Sequence, residues 1–376
     1  MSFRLEGIGT ALPEHRLTQE EAVELHATFC RFEEREARTL RALYRRSGVE
    51  TRHSVLLEGS EGSLPERQRF YPPAEDGDDR GPTTLRRMEM YERHAPGLAI
   101  SAARDALGGA ELDVEEITHL VTVSCTGFLA PGVDTAIVET LGLRRDVQRT
   151  HVGFMGCHGA LNGLRVADSF AGRDPDAVSL VCAVELCTLH FSYEKDPELI
   201  VANALFSDGA AAVGGRSSAE AKGAVGGRTV GRGDGADWRV AASGTSLLAD
   251  SEDAMTWRLG DHGFRMTLSP RVPELIEANL RPWMTGWLKE HGLSLDDIGS
   301  WAVHPGGPRV LTSVERALDL PKEATAVSRE VLSECGNMSS ATVLFIVRRL
   351  KERGAAGPCV ALAFGPGLAG EAPLLT

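Results

Sequence analysis

The segment THLVTVSCTG (118–127) decides the fold class, because it is a continuous β-branched and apolar run that ends in small, turn-forming residues. A run of this form is typical of a strand that is buried on both faces of a sheet. Three other segments share it: AVSLVCAVEL (177–186), SWAVHPG (300–306) and CVALAFGPG (359–367). We therefore predict four buried strands.

Amphipathic segments with helical spacing lie between these strands. They are GLAISAARDALGGA (97–110), PELIEANLRPWMTGWLKEHG (273–292), in which Pro282 predicts a break or kink, and ATVLFIVRRLKERG (341–354). Alternating strands and helices predict an α/β fold with wholly or largely parallel sheets.

The chain repeats one local order, which suggests two similar halves. A strand, a small-residue turn and a helix occur around 118–170 and again around 300–350. We divide the chain into residues 1–215 and 216–376, joined near the Gly/Ala-rich stretch 209–227. The segment 55–95 is rich in charge, proline and glycine, so we predict a surface excursion or lid within the first half. A solvated loop without a role is the alternative.

Composition excludes several function classes. The 376 residues carry a formal net charge of −13, which argues against nucleic acid or an anionic membrane as a general partner. There is no apolar run of membrane-spanning length and no secretory h-region, so we expect a cytoplasmic protein. The seven cysteines form no CxxC pair, which argues against a zinc site or a disulfide framework. No nucleotide-binding glycine motif occurs, and we expect no metal or redox cofactor.

One cysteine has the surroundings of a nucleophile. In HVGFMGCHGALNGLRVADSF (151–170), Cys157 stands among small residues directly before an amphipathic run. This pattern predicts a strand, a tight turn and a helix with Cys157 at its N-terminus. A helix N-terminus and a nearby imidazolium lower a thiol pKa, which would produce the reactive thiolate. A buried structural cysteine is the alternative.

Two further segments offer polar partners for that cysteine. His304 ends a predicted strand and meets a PGGP turn, a position where α/β sheets place functional residues. Asn337 lies in SECGNMSSATV (333–343), where its amide can donate to a developing oxyanion. Taken singly, His304 can be structural, and Asn337 can be an N-cap that shares this role with Ser339 or Ser340.

Taken together, GFMGCHGALNGLR, WAVHPGGP, GNMSSATVLFI and AFGPGL resemble the signature segments of the chalcone synthase-like type III polyketide synthases. They occur in the family's order, and the resemblance runs from about residue 3 to the end of the chain. It implies the thiolase fold, in which two βαβαβ-type halves stack as five layers (αβαβα), and a homodimer. It also implies that Cys157 accepts the acyl group and that His304 and Asn337 complete the catalytic triad.

The resemblance implies further site residues. Phe206 matches the phenylalanine at the junction of the CoA tunnel and the reaction cavity. Segment 124–134 matches a cavity loop that touches the partner subunit, with Ala130 where plant members have Met. The loop Gly365, Pro366 and Gly367 matches the family's cavity-shaping loop, although Ala363 replaces its usual first glycine. The other positions expected to bind substrate are Cys125, His190, Trp257, Met266, Gly306 and Ser339. Those expected to bind CoA are Arg41, Arg45, Arg46 and Arg52, for which an ordinary basic helix face is the alternative.

The implied reaction loads an acyl-CoA starter on Cys157 and extends it by decarboxylative Claisen condensation with malonyl-CoA. Cyclisation then gives a pyrone, a resorcinol or a polyhydroxy-aromatic product. Cys125 stands where plant enzymes have Thr and resembles bacterial members, some of which use malonyl-CoA alone and others long acyl starters. We favour a fatty acyl starter, and we regard Cys125 as a candidate second reactive thiol.

Three alternatives compete with this interpretation. A ketoacyl-ACP synthase III-like condensing enzyme would take its extender from a carrier protein, and the HPGGP and FGPG segments argue against it. A papain-like peptidase shares the order Cys, His, Asn, but its local signature is absent. A catalytically dead partner subunit is opposed by the complete triad.

Overall fold

The computed structural model describes residues 1–110, 112–219 and 238–376. The strands are β1 (Ser2–Ala11), β2 (Arg16–Thr18), β3 (Thr51–His53), β4 (His119–Ser124), β5 (Gln148–Gly153), β6 (Val178–Leu186), β7 (Asp208–Ser218), β8 (Trp238–Leu247), β9 (Met255–Gly260), β10 (Gly263–Leu268), β11 (Ser300–Val303), β12 (Cys359–Gly365) and β13 (Ala369–Leu375). The helices are α1 (Gln19–Phe29), α2 (Glu34–Arg46), α3 (Leu64–Arg67), α4 (Thr84–Gly108), α5 (Val133–Leu141), α6 (Gly159–Arg173), α7 (Pro197–Leu205), α8 (Val272–Glu290), α9 (Pro308–Leu318), α10 (Ala326–Cys335) and α11 (Thr342–Glu352).

Nine strands form one mixed sheet in the order β11-β12-β13-β8-β1-β7-β6-β4-β5. Within it, β4 runs parallel to β5 and β6, and β11 runs parallel to β12, while the other neighbouring pairs are antiparallel. The prediction of wholly or largely parallel sheets was therefore wrong. A continuous apolar run reports burial on both faces, and it carries no information about strand direction.

The sheet contains the same pattern twice. The series β4, β6, β7, β1 has one parallel pair followed by two antiparallel pairs, and so has the series β11, β12, β13, β8. The two series join where β1 pairs with β8, at Arg4 with Arg239 and Leu5 with Trp238. This repetition confirms two similar halves within the fold.

Neighbouring side chains of a strand point to opposite faces of the sheet, and the cores in which they are buried show how helices and sheet are layered. Val121 of β4 and Ala302 of β11 pack into one core with α6 and α11, so both halves of the sheet face these two helices. On the opposite face, Leu120 packs into a core with α4. Val303 packs into a third core with α8 and α9. The two halves of the sheet thus form two layers, and the order helix, half-sheet, helix, half-sheet, helix confirms the αβαβα arrangement.

Three local expectations need correction or restriction. Helix α4 begins at Thr84, so the last part of the predicted lid 55–95 is helix with Arg87 and Tyr91 buried on it. Helix α8 continues through Pro282 without ending. In the predicted join 209–227, β7 extends to Ser218, and residues 220–227 lie outside the described part of the chain. The division at residue 215 stays a prediction.

Within the described ranges, the long helices are too polar, and the apolar ones too short, to cross a bilayer. All seven cysteines are buried and unpaired. In the same part of the chain, His, Cys, Asp and Glu side chains form no group of three or more with the geometry of a metal site.

Candidate active site

Cys157 lies in the turn that connects β5 to α6. The strand ends at Gly153, and Phe154 and Gly156 then take positive φ angles of 61° and 74°. A single 3-10 turn, Gly156–His158, leads directly into α6. Cys157 is thus held at the positive end of a 15-residue helix, and it is 6% exposed.

The second half of the chain brings His304 and Asn337 to this turn. His304 directly follows β11, and its backbone N–H donates to the Leu362 carbonyl at 2.8 Å. Asn337 follows α10 and pairs with the first half of the chain: its N–H donates to Leu205 O, and Ser207 N–H donates to Asn337 O, both at 2.9 Å. This short bridge also places Phe206 beside Asn337.

The three predicted catalytic residues line one cavity. Its wall also contains Phe206, Met266 and Gly306. The rest of its wall is apolar: Ala202, Leu205, Met255, Leu268, Val272, Val310 and Phe364. One thiol, one imidazole and one carboxamide therefore belong to the wall of one largely apolar cavity, where electrostatic interactions are only weakly screened.

Burial has the largest effect on the pKa values of Cys157 and His304. It raises the pKa of Cys157 to about 12, although hydrogen bonds from Ser339 and Asn337 act to lower it. Burial, together with nearby His158, lowers the pKa of His304 to about 3. The predicted lowering of the Cys157 pKa was wrong in direction, because the closed cavity outweighs the helix N-terminus. Burial therefore disfavours either charge alone.

His304 has capacity to bind a substrate. It is 1% exposed, and neither ring nitrogen has a hydrogen-bond partner among the described residues. Buried polar atoms are almost always paired, so an unpaired ring in a cavity is a candidate donor to a bound group.

Ser339 positions the thiol from the opposite side. Its hydroxyl donates to Cys157 Sγ at 3.6 Å, and it lies 3.1 Å from Cys125 Sγ. Its backbone takes a positive φ of 46°, and its N–H donates to Asn337 Oδ1 at 2.9 Å. The same bond turns the Asn337 Nδ2 group toward Cys157.

We expect Ser339→Ala to shift the ionisation of Cys157 to higher pH. The Ser339 hydroxyl lowers the pKa of the thiol, and a hydrogen bond to a charged group is worth about 1.5–3 kcal/mol, or roughly one to two pH units. Alkylation by iodoacetamide, followed at Cys157 by peptide mass spectrometry between pH 6 and 10, should become about tenfold slower at neutral pH. Ser328→Ala, which removes a buried hydroxyl outside the site, is the control. An unchanged profile in Ser339→Ala would contradict this role.

The loop Gly365, Pro366, Gly367 acts on the cavity indirectly. A Cβ on Gly156 would lie 2.3 Å from Pro366 Cδ, and a Cβ on Gly365 would lie 2.4 Å from the His158 ring. The loop therefore packs directly on the turn that carries Cys157. Gly367 O accepts a hydrogen bond from Ser251 Oγ at 3.1 Å.

We expect Gly156→Ala to damage both stability and activity. Its φ of 74° disfavours any Cβ, and the contact with Pro366 forces the loop or the turn to move. The melting temperature should fall by several degrees, and product formation should fall about 10²-fold, as after a misplacement of about 1 Å. Gly97→Ala, a helix position with open space around it, should be neutral or stabilising. Wild-type turnover by Gly156→Ala would show that this close packing is dispensable.

A second, larger cavity adjoins the first. It has a volume of about 100 Å³ and shares Ala202, Phe206 and Met266 with the cavity that contains Cys157. The predicted cavity residues His190 and Trp257 line it. His190 Nε2 lies 2.7 Å from Thr126 O, and its Nδ1 accepts from Phe264 N–H at 3.0 Å. The other aromatic side chains in its wall are Phe29, Tyr44, Tyr71, Phe191 and Phe264.

Cys125 lies behind the cavities, in a polar network that sequence reasoning missed. Its N–H donates to Glu185 at 3.0 Å, and Thr126 Oγ1 and Ser340 Oγ donate to the same carboxylate. Glu185 is fully buried, and burial raises its pKa. The signal was available, because Glu185 is the one carboxylate in the otherwise apolar run 177–186. Burial also raises the pKa of Cys125 well above its usual range, and Cys125 lines neither cavity.

The four arginines expected to bind CoA differ in environment. Arg41, Arg45 and Arg46 are exposed on α2. Arg52 is 5% exposed, and its Nη groups donate to the Asn203, Ala204 and Phe206 carbonyls and to the Gln19 side chain. Arg52 thus closes the C-terminus of α7, and its burial does not fit the predicted contact with CoA.

Comparison with known proteins gives consistent matches over nearly the whole chain. The family models for chalcone and stilbene synthases match residues 3–216 with their N-terminal domain and residues 239–376 with their C-terminal domain. The chain is 36% identical to a 1,3,6,8-tetrahydroxynaphthalene synthase of Streptomyces peucetius subsp. caesius, covering 98% of this chain and 91% of the relative. It is 32% identical to the alpha-pyrone synthesis polyketide synthase-like Pks18 of Mycobacterium tuberculosis, covering 98% and 90%.

A solved structure agrees with these matches. The chain superposes on PKS-I from the brown alga Ectocarpus siliculosus with a TM-score of 0.89 and 31% identity, covering 100% of this chain and 98% of that one. The matches support a type III enzyme and give no support to the ketoacyl-ACP synthase III alternative. With the αβαβα fold and the shared cavity of thiol, imidazole and carboxamide, they establish that this chain belongs to the chalcone and stilbene synthase family, as a type III polyketide synthase.

Proposed function

We propose that Cys157 carries the growing acyl chain, that His304 and Asn337 bind the developing oxyanion, and that the substrates are an acyl-CoA starter and malonyl-CoA. The observation that carries this proposal is that the three side chains line one apolar cavity together with Phe206. Each polar group is then available to the reacting thioester and shielded from bulk water.

In the loading step, the Cys157 proton moves to His304 Nε2 as Sγ attacks the thioester carbonyl of the starter. The C–S bond to CoA breaks, CoA leaves as a thiolate that takes a proton from solvent, and His304 keeps the Cys157 proton on Nε2, which leaves an acyl-Cys157 thioester beside an Nε2–H donor. Concerted transfer suits this site, because burial disfavours either ion alone.

In the extension step, malonyl-CoA loses its carboxylate as CO₂, and the electron pair becomes the enolate of the CoA thioester. The enolate oxygen accepts from His304 Nε2–H and Asn337 Nδ2–H. The apolar ring of Phe206 disfavours the charged carboxylate and favours its loss. The carbanion attacks the acyl-Cys157 carbonyl, and Sγ leaves as the new C–C bond forms.

The second cavity supports a bulky starter. Its aromatic wall and its continuity with the catalytic cavity at Phe206 and Met266 suit a long or aromatic acyl group. We propose a fatty acyl starter, cyclised after extension to a pyrone or resorcinol. A tetrahydroxynaphthalene-type product from malonyl-CoA alone is the second candidate, and the identity of 36% to such a synthase favours it.

Mass spectrometry of products from a panel of acyl-CoAs with malonyl-CoA tests this proposal. We expect triketide and tetraketide masses that contain the long acyl starter. Efficient product formation from malonyl-CoA alone, with no incorporation of added acyl-CoA, would instead establish the second candidate. Turnover with malonyl-ACP and none with malonyl-CoA would contradict the proposed extender.

We also propose a homodimer that acts in the cytoplasm. Phe128, Phe154 and Met155 are 52%, 38% and 39% exposed beside the Cys157 turn, a position that suits a partner subunit. Sedimentation velocity of the purified protein measures this directly, and a monomer at micromolar concentration would contradict it. For CoA we retain Arg41, Arg45 and Arg46 as candidate contacts.

A further inference from the structure

An unpaired histidine nitrogen lies in the wall of the second cavity. His26, on α1, lines this cavity and is fully buried. Its ring meets Phe191 and Phe32 edge to face at centroid distances of 4.8 and 5.4 Å. Its Nε2 has no hydrogen-bond partner among the described residues. Leaving a buried polar atom without a hydrogen-bond partner costs about 1–3 kcal/mol of folding free energy, unless a bound molecule pairs with it.

The other ring nitrogen identifies the tautomer. His26 Nδ1 lies 2.7 Å from the Tyr44 hydroxyl, and Tyr44 is itself buried. If Tyr44 O–H donates to Nδ1, one polar hydrogen remains unpaired, at Nε2. If His26 Nδ1–H instead donated to the Tyr44 hydroxyl oxygen, the Tyr44 hydroxyl hydrogen and the lone pair on His26 Nε2 would both lack partners. The first arrangement is therefore preferred, and Nε2 carries a hydrogen.

His26 stays neutral in the working pH range. Burial, reinforced by the positive charge of Arg52, lowers its pKa to about 3. Tyr44, whose pKa burial raises, also stays uncharged. A second unpaired donor in this wall is the Arg52 Nε–H group. His26 and Arg52 therefore each contribute one buried, unpaired donor to the residues of this wall.

The remaining polar groups of the wall are already satisfied by the protein. Tyr71 O–H donates to Thr188 O at 2.9 Å, and Asn203 Nδ2 donates to Ser192 O at 2.8 Å. Gln68 Nε2 donates to Tyr71 O at 2.9 Å. Among the described residues of this wall, His26 Nε2 and Arg52 Nε are therefore the side-chain atoms that lack a hydrogen-bond partner.

We propose that His26 Nε2–H selects a starter acyl group that carries an oxygen acceptor, such as a hydroxyl or keto group, on the part of the chain remote from the thioester. The inference rests on the proposed function, since it assigns the second cavity to the starter. An unsubstituted chain would leave the donor unpaired, and a site built to hydrogen-bond a substrate group rejects the analogue that lacks it.

The test compares dodecanoyl-CoA with hydroxydodecanoyl-CoA isomers that carry the hydroxyl at each position of the distal half of the chain. Acylation of Cys157 is followed by intact-protein mass spectrometry, and kcat/KM is measured with malonyl-CoA. In the wild type, the best isomer should exceed dodecanoyl-CoA by about tenfold or more. In His26→Phe, this ratio should fall to about one while dodecanoyl-CoA still reacts.

Matched variants separate hydrogen bonding from shape. His26→Gln supplies an amide N–H and should keep part of the preference, whereas Phe29→Leu changes the wall without changing its polarity and should keep all of it. If His26→Phe folds poorly because Tyr44 loses its partner, the double variant His26→Phe/Tyr44→Phe removes both polar atoms.

The outcomes distinguish the two proposals. A wild-type enzyme that extends acyl-CoAs but prefers no hydroxylated isomer, or a preference that survives in His26→Phe, overturns the role of His26 and leaves the proposed function intact. Absence of acylation with every acyl-CoA overturns the proposed starter loading and this inference with it.

Discussion

Replacing Cys157 by alanine abolishes polyketide formation and leaves slow decarboxylation of malonyl-CoA. Condensation needs the thioester on Sγ, so its rate should fall by about 10⁴-fold or more. Decarboxylation needs only a bound malonyl-CoA and the donors on His304 and Asn337, which remain. Product formation is measured by mass spectrometry and decarboxylation by the release of labelled CO₂.

The control for this variant is Cys125→Ser. Cys125 contacts Ser339 and Glu185 and does not line either cavity, so its replacement should leave products and rates close to those of the wild type. If Cys157→Ala lost both activities equally, the proposed division of roles would be wrong. If Cys125→Ser lost condensation, a second essential thiol would be indicated.

Replacing His304 by alanine should depress both decarboxylation and condensation. The enolate oxygen loses one of its two donors, and removal of such a donor costs about 2.7–4 kcal/mol, or roughly 10²–10³-fold in rate. Loading should suffer further, because no base remains to take the Cys157 proton while burial keeps the pKa of that thiol at about 12. The measurement is CO₂ release from malonyl-CoA, with starter acylation followed separately.

His304→Gln is the informative comparison for this prediction. Its amide offers a donor but no base, so decarboxylation should recover more than acylation does. Unimpaired decarboxylation in His304→Ala would exclude the imidazole as an oxyanion donor. Because His304 is fully buried, the melting temperature of each variant must be compared before rates are interpreted.

The three residues that line one cavity could be singled out from the sequence because each has a local signature. Cys157 stands among small residues before an amphipathic run, His304 at the end of a strand, and Asn337 in a turn before a helix. Those signatures are short-range, and the structure brings the three side chains into one cavity. The five-layer fold followed from the family resemblance, whereas the mixed strand directions did not follow from the apolar runs.

The ionisation of the site was not predictable in the same way. A helix N-terminus beside a histidine suggests a lowered thiol pKa, but the closed apolar wall around Cys157 reverses the direction. Likewise, Arg52 looked like one of four basic residues near a tunnel, until its donors proved to be used by the α7 carbonyls. Desolvation depends on all neighbouring groups, most of them distant in sequence.

The sequence by itself determined the two-half α/β chain, its family and the identity of the thiol, imidazole and carboxamide, because local spacing and motif order record these. Only the tertiary structure decided what surrounds them. It buried Glu185 behind Cys125, packed the Gly365–Pro366 loop on the Cys157 turn, and formed a second cavity from α1, α2 and the β9–β10 hairpin with His26 in its wall. Cavity shape, unpaired donors and pKa values arise from contacts between segments far apart in the chain, and such contacts exist only once the chain has folded.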